Sequence, residues 1–323
     1  MNKDLKDRIE ARFSGDGPDL PPAALGDLCR QLVEEQRTSW AEFGDACSSL
    51  RDTLTRDIEC PGFSVRLLYN PGRSINTLAS VTPQDITKRP CFLCRKHLPS
   101  RQKAILYRNE FLILGNPRPI VPFHLTIAHR AHLPQSIYEY MEKFLHITQD
   151  MGPGFTTLYN GPRCGASAPD HLHFQAVPSG EMPIEKELEA KVKFLTSKTA
   201  DHVTLSSGRG LGREIILVEG KEPENICTVF KDLMDSLRTG PDKNEEPMIN
   251  VIGHYSNEEF RIAVFPRRAH RPAAFFRNDS QRIMVSPAVM EMGGVIVTPS
   301  ETDFNRLDAE TIGSIYREVS LMA

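Results

Sequence analysis

The chain has 323 residues, and its 39 lysines and arginines against 42 aspartates and glutamates give a net charge of −3. This length predicts two domains or one duplicated domain, and 40% apolar residues are enough for a sizeable core. The near-neutral charge argues against a nucleic-acid coat or a polybasic membrane binder, and the composition excludes disorder along the whole chain.

The N-terminal sequence, the apolar runs and the number of cysteines indicate the cellular location. The N-terminal stretch MNKDLKDRIEARF is charged and has no apolar core of a secretory signal, and no run approaches the ~18 apolar residues of a membrane helix. Seven cysteines, an odd number, favour metal or thiol chemistry over disulfides. We therefore expect a cytoplasmic protein without a membrane or nucleic-acid-polymer partner.

Apolar spacing predicts an N-terminal helical segment over residues 1–58, interrupted by a glycine- and proline-rich break at 15–22. Strands follow from residue 59 onward. Short β-branched runs bounded by turn residues predict them at 63–69, 104–107, 111–114, 124–128, 155–159 and 171–177. A helix is expected over 136–151, with Ser136 as its N-cap.

The remainder of the chain shows the same mixture of short predicted strands and helices. Strands are predicted at 203–205, 214–218, 248–253, 260–265 and 294–299, and helices at 223–238 and 304–321. The fold class is therefore α+β. Two strands each run into Arg-Ala-His-x-Pro, at Arg130 and at Arg268, which predicts an internal duplication. We divide the chain into residues 1–58, a first half over 59–200 and a diverged second half over 201–323.

The pair Cys91-Phe-Leu-Cys94 can supply half of a tetrahedral zinc site. The sequence has no second Cys-x-x-Cys pair, so further ligands must be histidines or carboxylates. The candidate histidines nearby are His97, His124, His129, His132 and His171. The alternatives are two incidental cysteines or a redox pair.

A second constellation joins a loop of small residues to a histidine-bearing strand. Strict alternation places His171, His173 and Gln175 on one face of the predicted strand. The loop Gly165-Ala166-Ser167 precedes them, and its backbone N–H groups can approach phosphate oxygens. A neutral imidazole can attack phosphorus. The alternative is a solvated strand face with polar alternation.

These residues resemble a known family. His171-x-His173-x-Gln175 matches the signature of the histidine-triad superfamily in its transferase branch. That branch includes galactose-1-phosphate uridylyltransferases, diadenosine tetraphosphate phosphorylases and GDP-hexose phosphorylases. The resemblance covers about residues 60–180 well and the C-terminal part only faintly. It implies a histidine-triad-like antiparallel sheet with helices.

Other motifs carry the same resemblance in the same order. The string from Asp170 to Ala176 looks most like the GDP-hexose phosphorylases, and Gly165-Ala-Ser-x-Pro resembles the diadenosine tetraphosphate enzymes. Cys91-Phe-Leu-Cys94 is similar to the zinc cysteines of the bacterial uridylyltransferases. Asp170 departs from the GDP-hexose pattern, where an amide is usual, and this departure leaves the acceptor open.

The resemblance implies roles for individual residues. His173, the middle histidine, would attack the α-phosphorus and form a nucleotidyl-histidine. Gln175 replaces the third histidine of the hydrolase branch, a replacement associated with transfer to a phosphate-bearing acceptor. Structural zinc would be held by Cys91, Cys94, His132 and His171, with His129 as the alternative to His132.

Substrate-binding residues are implied in the same way. Arginines in the region of Arg66, Asn70 and Arg73 contact nucleotide phosphates in the uridylyltransferase-like enzymes, although a plain turn with solvated arginines explains the pattern as well. Asn160 resembles an asparagine that supports the phosphate. The loop residues Gly165, Ala166 and Ser167 complete the expected phosphate site. In the second half, residues 267–272 are interpreted as an acceptor clamp or as a solvated basic loop.

The expected function is nucleotidyl transfer or phosphorolysis of a nucleoside diphosphate sugar or a dinucleoside polyphosphate, with phosphate or a sugar phosphate as acceptor. One alternative is a hydrolase of nucleotide conjugates from the same superfamily. Another is a non-catalytic, zinc-bearing nucleotide-binding protein. The base, the sugar and the oligomeric state are left open.

Overall fold

The computed structural model describes residues 7–15, 24–71, 86, 89–238 and 245–321. The helices in these ranges are α1 (Ala24–Ser39), α2 (Ala41–Ser48), α3 (Met141–Met151), α4 (Ile184–Ala190), α5 (Pro223–Leu237), α6 (Val289–Met292), α7 (Glu301–Arg306) and α8 (Ala309–Val319). The strands are β1 (Ile9–Phe13), β2 (Leu54–Cys60), β3 (Phe63–Tyr69), β4 (Ala104–Tyr107), β5 (Phe111–Gly115), β6 (Leu125–His129), β7 (Phe155–Asn160), β8 (His173–Pro178), β9 (Phe194–Ala200), β10 (Val203–Gly208), β11 (Ile216–Gly220), β12 (Ile249–Ser256), β13 (Glu259–Pro266) and β14 (Val295–Thr298).

The main sheet consists of two similar units joined at its centre. Among the described residues its order is β1-β4-β5-β6-β8-β7-β12-β13-β11-β10-β9. One unit contains β4 to β8, with β1 added at its outer edge, and the other contains β9 to β13. From the outer edge to the centre of the sheet, the strands of each unit follow the order first, second, third, fifth and fourth along the chain. The two fourth strands, β7 and β12, pair antiparallel, and a helix connects third to fourth strand in both units. The α+β class and the predicted duplication are therefore confirmed by the topology.

The sequence repeat that predicted this duplication aligned the wrong strands. Arg130-Ala-His follows β6, the third strand of its unit, whereas Arg268-Ala-His follows β13, the fifth strand of the other. The structural counterpart of β13 is β8. The similarity of the two short motifs reflects similar strand ends rather than equivalent positions.

The two faces of the sheet are covered by different layers. Helices α1, α3 and α5 pack on one face, where Phe144, Phe174 and Phe230 are fully buried. The small sheet β14-β3-β2 and helices α4 and α6 to α8 cover the other face. Side chains alternate along β8, with Phe174 under α3 and Val177 in the second layer. His173 and Gln175 therefore face the second layer.

The structure corrects several local predictions. The predicted first helix contains β1, because Ile9–Phe13 pairs in parallel with the edge strand β4. Ser136 is not an N-cap: α3 begins at Met141, and the Ser136 hydroxyl donates to Glu246 instead. The predicted terminal helix is two helices, and the side chains of Ser300 and Asp308 cap them separately.

The division into 1–58, 59–200 and 201–323 stays a proposal. The first segment, expected to be helical, also contains β1 and the start of β2, and β9 pairs with β10 of the second half. Among the described residues, none of the helices combines the length and apolar character needed to cross a bilayer.

Candidate active site

His173 begins β8, and its ring is held in one tautomer. Its Nδ1–H donates to the carbonyl of His171 at 2.8 Å, so Nε2 carries the free lone pair. The side chain of Gln135 fixes the backbone, accepting from His173 N at 2.8 Å and donating to His173 O at 3.0 Å. Burial lowers the pKa of His173 to about 4, which keeps the ring neutral at neutral pH.

Gln175 is oriented by a histidine that the sequence analysis considered only as a metal ligand. The Nδ1 atom of His124 accepts from Ile120 N at 3.2 Å, so its Nε2–H donates to Gln175 Oε1 at 2.8 Å. With its oxygen engaged in this way, Gln175 presents its amide N–H groups to a ligand. His124 is buried, which adds to the rigidity of this arrangement.

The structure brings the predicted metal ligands together. One ligating atom from each of Cys91, Cys94, His132 and His171 lies within 4.8 Å of all the others. His171 Nδ1 is 3.3 Å from Cys91 Sγ, and His132 Nδ1 is 3.1 Å from Cys94 Sγ. Such separations are close to those between ligands of one tetrahedral zinc ion.

The surroundings of the cluster also fit a metal. The Nε2–H of His171 donates to the carbonyl of His129 at 2.7 Å, which leaves Nδ1 facing the sulfur atoms, the arrangement usual for a metal-bound imidazole. Burial and the neighbouring Cys91 raise the pKa of Cys94 to about 11, so a thiolate at Cys94 would need a cation nearby. Asp170 lies 3.6 Å from His132 Nε2, at the outer side of the cluster.

The other candidate histidines do not join this cluster. His129 turns its Nδ1 to the backbone N–H of Ala131, and His97 Nδ1 contacts the carbonyl of Cys91. His124 is engaged with Gln175. Of the two histidines left open at the fourth position, His132 is therefore the one that lies among the cysteines.

Asn160 lies beside His173, and Gly165 of the small-residue loop lies against Asn160. Asn160 ends β7 beside His173, and Gln135 Nε2 donates to both of their carbonyls. The Asn160 amide oxygen accepts from Asn250 Nδ2 and from Val289 N, both at 2.8 Å. The amide oxygen of Asn160 thus binds neighbouring backbone and a second asparagine, and its predicted contact with phosphate stays a prediction.

In the loop itself, Gly165 adopts φ +108°, and a Cβ there would lie 2.5 Å from Cβ of Ala288. Glycine is therefore required by both conformation and space. Ala166 is buried, and the exposed Ser167 accepts at its carbonyl from Arg89 at 2.8 Å.

Of the predicted phosphate-binding arginines, Arg66 lies farther along the second layer. Arg66 on β3 is 3.4 Å from Asp57 and lines a groove of about 320 Å³ that Val121 and Phe123 also border, just before His124. Asn70 directly follows β3, and its N–H donates to the carbonyl of Thr298. Arg73 lies outside the described residues.

In the second half, Arg267 is a buried structural residue, a role that the sequence analysis did not predict for it. Arg267 is 3% exposed and donates to the side chain of Asn250. It also donates to the carbonyls of Ala269, His270, Pro287 and Val319. A charged residue so deeply buried needs this many acceptors, and a single sequence does not show them.

Comparisons with known proteins agree with this architecture. A family model described as a domain of unknown function, DUF4922, matches residues 32–178, and one described as GDPGP1-like, C-terminal domain, matches residues 215–323. No curated protein matches the chain in sequence.

Two solved structures are similar over nearly the whole chain. The crystal structure of yeast Ap4A phosphorylase Apa2 in complex with AMP has a TM-score of 0.56 at 14% identity, covering 91% of this chain and 96% of that one. Its complex with Ap4A has a TM-score of 0.57 at 12% identity, with coverages of 91% and 98%. The chain thus has the fold of these Ap4A phosphorylase structures. Its residues 215–323 match the C-terminal domain of GDPGP1-like proteins.

Proposed function

We propose that the chain transfers a nucleoside monophosphate through a covalent intermediate on His173. The observation that carries this proposal is the pairing of a neutral, tautomer-fixed imidazole with an amide held in one orientation by His124. A protein that only binds nucleotides has no need of a free imidazole lone pair in such a place. The donor is a nucleoside diphosphate sugar or a dinucleoside polyphosphate, and the similar structures of yeast Ap4A phosphorylase in complex with AMP or Ap4A support a nucleotide substrate.

The reaction has two displacements at the same phosphorus. His173 Nε2 attacks the α-phosphorus, and the bond from that phosphorus to the bridging oxygen breaks, so the leaving phosphate takes the electron pair. An oxygen of inorganic phosphate or of a sugar phosphate then attacks the nucleotidyl-histidine, and Nε2 recovers its lone pair. The amide of Gln175 and the backbone N–H groups of the loop 165–167 stabilise the charge on the transferring oxygens.

We also propose that Cys91, Cys94, His132 and His171 hold a structural zinc ion. Four protein ligands leave no open position, so this ion does not take part in the reaction. It fixes His171, whose carbonyl in turn fixes the ring of His173. The proposed zinc therefore acts on the nucleophile only through position.

The nucleophile is tested by trapping. Protein mixed with an α-³²P-labelled nucleoside diphosphate sugar or dinucleoside polyphosphate, without acceptor, should retain up to one acid-labile label per chain. His173→Ala should retain none and should lose turnover by at least about 1,000-fold, since no other group can form the intermediate. Circular dichroism should show that the variant is folded.

His146→Ala is the matched control, because His146 lies on α3, which packs on the opposite face of the sheet. It should label like the parent protein. Sequential kinetics without a labelled intermediate would overturn the covalent mechanism. Turnover without any added phosphate acceptor would favour the alternative, a hydrolase.

A further inference from the structure

A pocket with a volume of about 270 Å³ lies at the end of β7 and is lined by arginines. Three parts of the chain supply them: the loop after β7, the residue that follows α5, and the segment after β13. We call this cavity the arginine pocket, and its arginines are Arg163, Arg238, Arg267 and Arg268. Of its other lining residues, Glu245 is charged and the rest are apolar.

The arginine pocket carries an excess of positive charge. The two arginines after β13 donate to carbonyl and amide oxygens, which are uncharged. Arg163 lies 3.0 Å from Glu245, and Arg238 lies 2.8 Å from Asp235. These carboxylates are 48% and 52% exposed, so solvent screens both pairs. Four arginines against two screened carboxylates leave a net positive charge, which attracts anions.

The same arginines keep N–H groups for a ligand. Arg238 Nε is buried and has no hydrogen-bond partner among the described residues. Such a buried donor costs free energy, and a bound acceptor would remove that cost. Arg163 and Arg268 each engage Nε and Nη2, and within the described ranges neither Nη1 group has a partner. Both of these side chains are exposed, so an anion from solvent can reach them.

The arginine pocket adjoins the loop between β7 and β8. Arg163 belongs to that loop. The buried Arg267 donates to Asn250, and Asn250 Nδ2 in turn donates to the carbonyl of Cys164 at 2.7 Å. Because Arg163 and Arg268 line one cavity, an anion that binds both would tie this loop to the segment after β13.

We propose that the arginine pocket binds inorganic phosphate or diphosphate and that the bound anion stabilises the loop between β7 and β8. Paired guanidinium N–H groups suit phosphate oxygens in geometry and in charge. The volume lies just below the roughly 300–1,000 Å³ of pockets for drug-sized ligands, which favours a small anion over a whole nucleotide. The inference does not depend on the proposed function, because His173 and Gln175 do not line this pocket.

The experiment is a calorimetric titration of the purified protein with inorganic phosphate and with diphosphate, at constant ionic strength in chloride. Arg163→Gln and Arg268→Gln should each weaken binding about tenfold, because each removes a charged hydrogen-bond donor. Both side chains are exposed, so both variants should fold, which circular dichroism checks. In the parent protein either anion should also raise the melting midpoint relative to chloride, since it binds the folded state.

Arg277→Gln is the matched control, because Arg277 is exposed, pairs with Asp279 and does not line the pocket. It should bind both anions like the parent, and so should His173→Ala. Binding that His173→Ala abolishes, or that neither pocket variant weakens, would overturn the inference. A parent protein that binds neither anion would overturn it as well. A protein that binds the anions as expected but forms no labelled intermediate would overturn only the proposed function.

Discussion

Gln175 determines, in this proposal, which acceptor receives the nucleotide. Its amide donates hydrogen bonds but does not titrate near neutral pH, so it cannot move a proton to or from water. An acceptor that brings its own charged phosphate needs less of this help. His124 holds the amide with its donors facing the site, so the residue acts through position as well as through type.

Gln175→His should therefore shift the second step toward hydrolysis. We expect the labelled intermediate to survive in phosphate-free buffer in the parent protein and to decay at least about tenfold faster in the variant, because the imidazole supplies a general acid or base. The half-life of the trapped label is the measurement.

Gln175→Asn separates the two effects of that change. The shorter side chain of asparagine moves the amide away from its position in the site but adds no titratable group. The variant should therefore transfer the nucleotide to phosphate more slowly, while its labelled intermediate should decay no faster in phosphate-free buffer. Equal and rapid loss of label from the parent with and without phosphate would show that the chain is a hydrolase.

At the scale of elements, the four residues that could hold a metal ion join three separate pieces of chain. Cys91 and Cys94 lie ahead of β4, His132 follows β6, and His171 lies two residues before the start of β8. Cys91→Ser should abolish binding of about one zinc per chain, measured by metal analysis of purified protein. Loss of a ligand that binds only the folded state should also lower the melting midpoint, by roughly 5 °C.

Cys227→Ser is a suitable comparison, because Cys227 is half-buried on α5, away from the cluster. It should keep the metal and the melting midpoint. A parent protein that is free of metal yet fully active would show that the cysteine pair is incidental.

Local patterns predicted much of the fold and of the site. Alternation along residues 171–177 placed His173 and Gln175 on one face, and the spacing of Cys91 and Cys94 indicated a ligand pair. The sequence analysis missed strand β1, because its five residues are too few, and too mixed in charged and apolar side chains, to show the alternation of a strand. The strand is defined by its pairing with β4, which is distant in sequence. The partner of Ser136 is Glu246, 110 residues away, which no local rule identifies.

At the scale of the whole molecule, Arg267 joins parts that are far apart in the chain. It binds the loop after β13, the segment before α6, the end of α8 and, through Asn250, the central strand that contacts Asn160. Arg267→Met should lower the free energy of unfolding by about 3 kcal/mol, because several buried acceptors lose their donors. The urea midpoint is the measurement.

Arg268→Met offers the comparison at the adjacent exposed position, where the free energy of unfolding should change by less than about 0.5 kcal/mol. An unchanged midpoint in Arg267→Met would mean that the buried guanidinium does not stabilise the junction of the halves.

The central pairing of β7 with β12 has a consequence for how the site can diversify. In a dimer of identical subunits, every substitution appears twice, once on each side of the symmetry axis. Here both copies lie in one polypeptide, and on the face where β8 carries His173 and Gln175, β13 carries Ala263 and Phe265. One copy is thus free to keep His173 and Gln175 while the other acquires different side chains. A fused chain can in this way give its two copies unlike tasks, which a symmetric assembly cannot do.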